Sequence, residues 1–239
     1  MNSEIKQNEF LSYINGFWAL LFPDVCKKCG FDLSEKEEIL CRKCINELPR
    51  TYFEISKNNP VAQLFWGRVK IAHAFSIFYF RKGETLQKLI HLLKYKKNRK
   101  VGFLLGKIAG KIIKESLPDF SFDYLVPVPL HPKRLKTRSY NQCELLSQGM
   151  SKILKIPVMK EALIRNVYNV SQTKKGKLER WENVAGIFKM INLDILKDKH
   201  ILIIDDIITT GSTLEACCAP LLEVPNIKIS IMSIGYSTY

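Results

Sequence analysis

The chain has 239 residues, 46% hydrophobic and 25% charged. This is an ordinary balance for a soluble globular protein, with room for one α/β domain and one small appendage. The formal net charge of +14 is not ordinary. It is concentrated in residues 81–100, with eight Lys/Arg against Glu84 alone; in Lys133, Arg134, Lys136 and Arg138; and in residues 165–180, with five basic residues against Glu179. The remainder is close to neutral, so a phosphate-bearing partner is expected, with a merely solvated basic surface as the plainer alternative.

The chain opens with an apolar run over residues 10–22, interrupted by Ser12, Asn15 and Gly16 and too short to span a bilayer. Glu4 and Glu9 flank Lys6, so no positively charged leader region precedes it. A short amphipathic helix closed by Pro23 is expected, with Phe17, Trp18 and Phe22 packing on a neighbouring domain rather than on a membrane. A cytoplasmic location without a membrane span follows as an expectation.

Residues 24–50 form a cysteine module. Cys26-x-x-Cys29 is followed after eleven residues by Cys41-x-x-Cys44. Two residues between cysteines let both thiolates of a turn reach one ion, and the second pair completes a tetrahedron. Four sulfurs leave no open position, so a structural Zn2+ is expected, against unligated thiols or an iron–sulfur cluster. So few residues cannot fold on a hydrophobic core alone, which gives the metal much of the stability. Cys143, Cys217 and Cys218 read as reduced thiols rather than parts of a disulfide framework.

Residues 51–72, with Asn58-Asn59-Pro60, read as an irregular linker with some packing residues such as Phe65 and Trp66. The domain division is therefore 1–50, 51–72 and 73–239. From residue 73 an α/β pattern begins. A strand is predicted over 74–80. A helix over 84–97 places Leu86, Leu89, Ile90 and Leu93 on one face, and a helix over 100–116 aligns Leu104, Leu105, Ile108 and Ile112. A strand over 124–128, a Pro/Arg-rich loop, a helix over 141–154 and an irregular basic segment over 164–187 follow. Residues 201–204 are continuously apolar, as a parallel strand buried on both faces should be. A helix from Thr213 and a strand over 227–234 complete an α/β fold with a doubly wound parallel sheet flanked by helices.

After the buried strand come Asp205-Asp206, a short turn, and Thr209-Thr210-Gly211-Ser212-Thr213 opening a helix. Hydroxyls and bare backbone N–H groups at a helix start make a socket for a phosphate dianion, and Gly211 removes the Cβ that would obstruct it. The adjacent carboxylates suit the hydroxyls of a ribose or a magnesium-bound form of it. An acid pair and an N-capping cluster of purely structural use is the alternative.

This string is similar to the 5-phosphoribosyl-1-pyrophosphate (PRPP) signature of type I phosphoribosyltransferases. The run from Val126 through Pro127, Val128, Pro129, Leu130, His131, Pro132, Lys133, Arg134 and Leu135 resembles the ComF family of competence-associated proteins. So do Arg138-Ser139-Tyr140-Asn141-Gln142, then Gln172, Arg180, Asn183, Gly186 and Phe188, and the tetracysteine ribbon ahead of them. Ser139-Tyr140 stands where the family usually shows Gly-Phe, and Asn169 and Lys175 replace a usual Thr and Leu.

The resemblance implies a phosphoribosyltransferase-like fold preceded by a small zinc-ribbon module. It implies PRPP or a ribose 5-phosphate group with Mg2+ at residues 205–213, Asp205 and Asp206 being the candidate catalytic carboxylates. It makes the stretch after Pro129 the pyrophosphate loop, with Lys133, Arg134 and Arg138 as its cations, and residues 165–187 a hood over the site. Departure of pyrophosphate needs Mg2+ and cationic groups on the leaving oxygens. No general base is legible, and His131 reads as an exposed or structural loop histidine.

By resemblance the role is in natural transformation, helping incoming single-stranded DNA through the cytoplasm. The candidate DNA-binding set is Lys88, Lys94, Lys96, Lys97, Arg99, Lys100, Lys174, Lys175, Lys177 and Arg180, with Tyr79, Phe80, Tyr95, Tyr140 and Tyr168 as aromatic neighbours for stacking. Two other functions stay open: a working phosphoribosyltransferase with a small nitrogenous acceptor, and an adaptor recruiting other DNA-uptake proteins such as a helicase.

Overall fold

The computed structural model of the protein describes residues 24–35, 37–119, 121–165, 188–190 and 193–237. The helix expected over 10–22, Tyr168, and the candidate cations Lys174, Lys175, Lys177 and Arg180 lie outside them. The chain divides into two compact units, Met1–Leu48 and Pro49–Tyr239.

In the first unit, Val25 and Asp32 make an antiparallel bridge around Cys26 and Cys29. Gly30 takes φ 76°, and its N–H donates to the Cys26 carbonyl at 2.9 Å, closing the knuckle. This left-handed corner is one that glycine enters without steric cost. The second cysteine pair sits on helix α1 (Arg42–Asn46), with Cys41 as its N-cap. Ile39, Leu40 and Leu48 are its buried aliphatic side chains among the described residues.

The second unit begins with the segment expected to be a linker, and this segment is folded. Phe53–Ile55 form a 3-10 turn, and helix α2 (Pro60–Gln63) follows. Asn59 caps α2 by accepting from the Val61 and Ala62 N–H groups, and its amide donates to the carbonyls of Phe53, Ser56 and Ala74. Of the two aromatics expected to pack, Phe65 is fully buried while Trp66 is 58% exposed.

Strand β1 (His73–Phe80), helix α3 (Thr85–Tyr95), helix α4 (Arg99–Ser116) and strand β2 (Tyr124–Pro127) follow as the hydrophobic periodicity predicts. The stretch after β2 departs from expectation. It is not a loop throughout: Pro132–Arg138 form helix α5. Pro132 sits in the first turn, where a missing N–H costs nothing, and His131 caps the helix by accepting from the Lys133 N–H at 3.2 Å. Ser139 ends it at φ 66°. The position where the family usually shows Gly is thus one where the backbone favours Gly, and the serine there carries some strain.

Helix α6 (Gln142–Leu154) is capped by Asn141, whose amide also donates to the Val128 carbonyl at 3.0 Å. It lies against α4 at backbone contact. A Cβ built on Gly106 would stand 2.1 Å from the Leu146 carbonyl oxygen, and one on Gly149 would stand 2.3 Å from that of Phe103. This close approach fixes the start of α6 beside the sheet.

Strands β3 (Leu163–Arg165) and β4 (Phe188–Met190) pair antiparallel on either side of the segment expected to be a hood, so its edges are strands rather than irregular chain. Strand β5 (His200–Ile208), helix α7 (Ser212–Leu221) and strand β6 (Lys228–Ser237) close the unit. The main sheet has the order β1-β6-β5-β2 with every pair parallel. Ile201, Leu202, Ile203 and Ile204 are fully buried, as a central strand covered on both faces requires. Strand β5 runs beyond the predicted 201–204 to Ile208, so the acid pair lies within its carboxyl-terminal part, with Asp205 opposite Ser233 of β6.

Candidate phosphate site and metal centre

Successive residues of a strand point to opposite faces, and Asp205 and Asp206 accordingly have different surroundings. Each carboxylate accepts from the next backbone N–H: Asp206 N–H to Asp205 Oδ1 at 2.8 Å, Ile207 N–H to Asp206 Oδ1 at 2.7 Å. Asp205 is partly exposed and lines a recess with residues 207–214. Asp206 is buried, and its Oδ2 is 2.7 Å from Lys94 Nζ, which reaches in from α3. Lys94, expected on the DNA surface, is therefore committed to the acid pair.

Cys143, in the first turn of α6, is buried and donates its thiol to Asp205 Oδ1 at 3.4 Å. Burial, and then the charges of Asp205 and Asp206, push this thiol well above its ordinary range, so it acts as a neutral donor. Burial and the charge of Asp206 likewise raise Asp205, to about 7, against the Asp206 N–H, Lys94 and the Cys143 thiol.

A carboxyl whose folded-state pKa lies above its unfolded value stabilises the fold fully below the unfolded value, near pH 4, and loses that contribution as pH rises through about 7. Asp205→Asn should therefore melt close to wild type near pH 4 and progressively higher than wild type up to pH 8. Thermal melts across that range test this, and a gap that closes with rising pH would refute it.

Beyond the acids, Thr209, Thr210, Ser212 and Thr213 are exposed, with Thr210 Oγ1 and Ser212 Oγ 2.9 Å apart. Gly211 is the N-cap of α7, at φ 76°, and no side chain caps this helix start. Its first N–H groups are left for a ligand, at the positive end of the helix dipole. A Cβ on Gly211 would meet the Phe65 ring at 3.2 Å, so the glycine is required by both backbone and packing.

On α5, Lys133 and Arg134 are exposed; Arg138 is half-buried, donates to Gln142 Oε1 at 3.1 Å and lies over the Tyr95 ring at 5.5 Å. Arg165 of β3 is a further cation that sequence reasoning left out of the site. Burial and then the charge of Arg134 lower its pKa, while Asp205 acts on it in the opposite direction. Lys88, Lys96, Lys97, Arg99 and Lys100 are exposed. Tyr95 is 64% exposed and packs on His91, whereas Tyr140 is buried with its hydroxyl donating to the Leu93 carbonyl. Tyr140 is thus a core residue rather than a stacking platform.

In the first unit, the sulfurs of Cys26, Cys29, Cys41 and Cys44 all lie within 4.8 Å of one another, those of Cys29 and Cys41 at 3.7 Å. A tetrahedral set at about 2.3 Å from one ion places neighbouring sulfurs about 3.8 Å apart, so the donor set fits such a metal. Burial raises Cys26, but the backbone N–H groups of Cys29, Cys41 and Lys28 outweigh it and bring the thiol down to about 6. Burial and the neighbouring thiols push Cys44 up. Bringing all four to the thiolate form at this spacing would take a cation among them. The cluster can hold a metal ion.

The description "Phosphoribosyl transferase domain" fits residues 141–234. With the parallel sheet and its flanking helices, this defines a type I phosphoribosyltransferase-like fold. The chain is similar to the DNA utilization protein YhgH of Escherichia coli K12, with 30% identity over 206 residues, 83% of this chain and 78% of that protein. It is also similar to Competence protein F of Haemophilus influenzae, with 34% identity over 92 residues; that match spans only 38% of this chain and 40% of the Haemophilus protein. Among solved structures, an adenine phosphoribosyltransferase from Leishmania donovani aligns at 12% identity and a TM-score of 0.40, over 67% of this chain and 83% of that one. The chain belongs to the ComF family. Among the described residues no helix is long and apolar enough to cross a membrane.

Proposed function

We propose that this protein acts in natural transformation, handling incoming single-stranded DNA in the cytoplasm, and that it holds PRPP or a related ribose 5-phosphate compound at residues 205–213. One coincidence carries the reading. An acid pair and a helix start without a side-chain cap share one strand end, in a chain whose relatives are named for competence and DNA utilization. A pure scaffold has no need of that socket. Thr209, Thr210, Ser212 and Thr213 with the α7 N–H groups hold the phosphate, and Asp205 faces the ribose. Mg2+ arriving with PRPP would neutralise pyrophosphate oxygens, and Asp205, the acid that lines the recess, would help hold it. Lys133, Arg134 and Arg138 are the candidate pyrophosphate cations. Cys26, Cys29, Cys41 and Cys44 hold a structural Zn2+.

The DNA surface is the exposed part of the basic stretch: Lys88, Lys96, Lys97, Arg99 and Lys100, beside the exposed Tyr95. Neutralising about four to six phosphates of a single strand gives a log–log salt slope of about −3 to −4. Reversing the charges of Lys96, Lys97 and Lys100, none of which pairs with the acid pair, should weaken binding and flatten the slope while sparing PRPP affinity. A flat salt dependence in wild type would remove the DNA reading. The intact acid pair would then favour a phosphoribosyltransferase acting on a small nitrogenous acceptor.

A further inference from the structure

The phosphate loop is braced from a part of the chain far away in sequence. Arg68, five residues after α2, donates from Nε to Glu215 Oε1 at 3.2 Å and from Nη2 to Glu215 Oε2, a two-point pair. Its Nη1 donates to the carbonyls of Leu64 at 3.0 Å and Thr210 at 3.2 Å. The guanidinium therefore joins three things: the turn that seats Phe65 against Gly211, the loop carbonyl just before that glycine, and an acid in the first turn of α7.

Each contact has a consequence for an anion in the recess. A bare carbonyl of an anion-binding loop repels a phosphate, and Arg68, which does not line the recess, occupies that of Thr210. An acid in the first turn of a helix competes with a bound anion for the same positive end. Glu215 is only 13% exposed at its side chain, so solvent alone would screen its charge poorly. Arg68 cancels that charge with a fork that matches a carboxylate in two places.

We infer that Arg68 is a positioning residue for phosphate binding: it neutralises Glu215 and fixes the Thr210 carbonyl, so that the loop presents only donors to a ribose 5-phosphate group. This rests on the phosphate reading of residues 205–213 given above.

The test uses the full chain with ribose 5-phosphate as the probe, measured by calorimetry. Arg68→Met exposes the loop to the bare Glu215 charge and should weaken binding about tenfold at low salt, the size expected for one poorly screened charge in the first turn of the helix that holds the anion. Adding salt should narrow the loss. The double variant Arg68→Met/Glu215→Gln should recover to within about threefold of wild type, and Glu215→Gln alone should bind at least as tightly as wild type. A merely structural brace would give a lower melting temperature with a loss that neither salt nor Glu215→Gln reverses, and that result would overturn the inference. Wild-type affinity in Arg68→Met would overturn it too while leaving the phosphate reading intact. Failure of the wild type to bind ribose 5-phosphate would overturn both.

Discussion

Removal of the metal by a strong chelator is expected to unfold residues 24–48 while the α/β unit keeps its own melting transition. Three buried aliphatic side chains, Ile39, Leu40 and Leu48, are the apolar core of the described part of that unit beyond the cysteines themselves. They cannot offset the ordering of two dozen residues. Ligation of a structural zinc supplies on the order of 10 kcal/mol, which is enough to decide between folded and unfolded. Cys44→Ser should have the same effect, whereas Cys143→Ala, Cys217→Ala and Cys218→Ala should leave one metal per chain in elemental analysis. A metal-free preparation with an unchanged proton spectrum for residues 24–48 would contradict this.

The second large effect is an asymmetry between the two acids. Asp205 lines the recess, so Asp205→Ala should remove charge-assisted contacts worth about 1.5–3 kcal/mol each. That lowers PRPP affinity by roughly tenfold to a hundredfold. The same variant should be no less stable than wild type without ligand, because the lost carboxyl is the one that burial penalises. Asp206→Ala should behave in the opposite way. It leaves Lys94, whose side chain is only 21% exposed, without its counter-ion, and breaking such a pair costs about 2–4 kcal/mol of stability. Replacing both partners, as in Lys94→Met/Asp206→Leu, should restore much of that stability. Melting curves and PRPP titrations of the single variants separate the two roles, and equal effects of the two substitutions would contradict the assignment.

These two acids are adjacent in sequence, and nothing in the motif distinguishes them. Their difference comes from α3, more than a hundred residues earlier. The signal for Lys94 was present but weak: it lies four residues after Ile90 and directly after Leu93, at the edge of the buried stripe, where a lysine on a purely solvated face would not be. The cysteine cluster, by contrast, was legible from spacing alone, because each Cys-x-x-Cys turn is local. So were β5, the acid pair at its end and the helix start after it, since all three are contiguous in the chain. Helix α5 was misread as loop because two prolines flank Leu130 and His131, although Pro132 at a helix start favours the helix. Arg68 was hidden in a segment whose irregular pattern suggested a linker. Its Asn59 and Phe65 do their work through contacts with β1 and the phosphate loop that no local pattern encodes. The backbone contact between α4 and α6, where Gly106 meets Gly149, joins residues more than forty apart, and no local pattern pairs them.

The end of β5 and the start of α7 are proposed to form a phosphoribosyl site. Calorimetric titration of the 239-residue chain with PRPP in the presence of Mg2+ tests this. One saturable site per chain is expected, weakened at least tenfold by Asp205→Ala and unaffected by charge reversal at Lys96, Lys97 and Lys100. Absence of saturable binding in wild type, or equal binding by the Asp205→Ala variant, would contradict it.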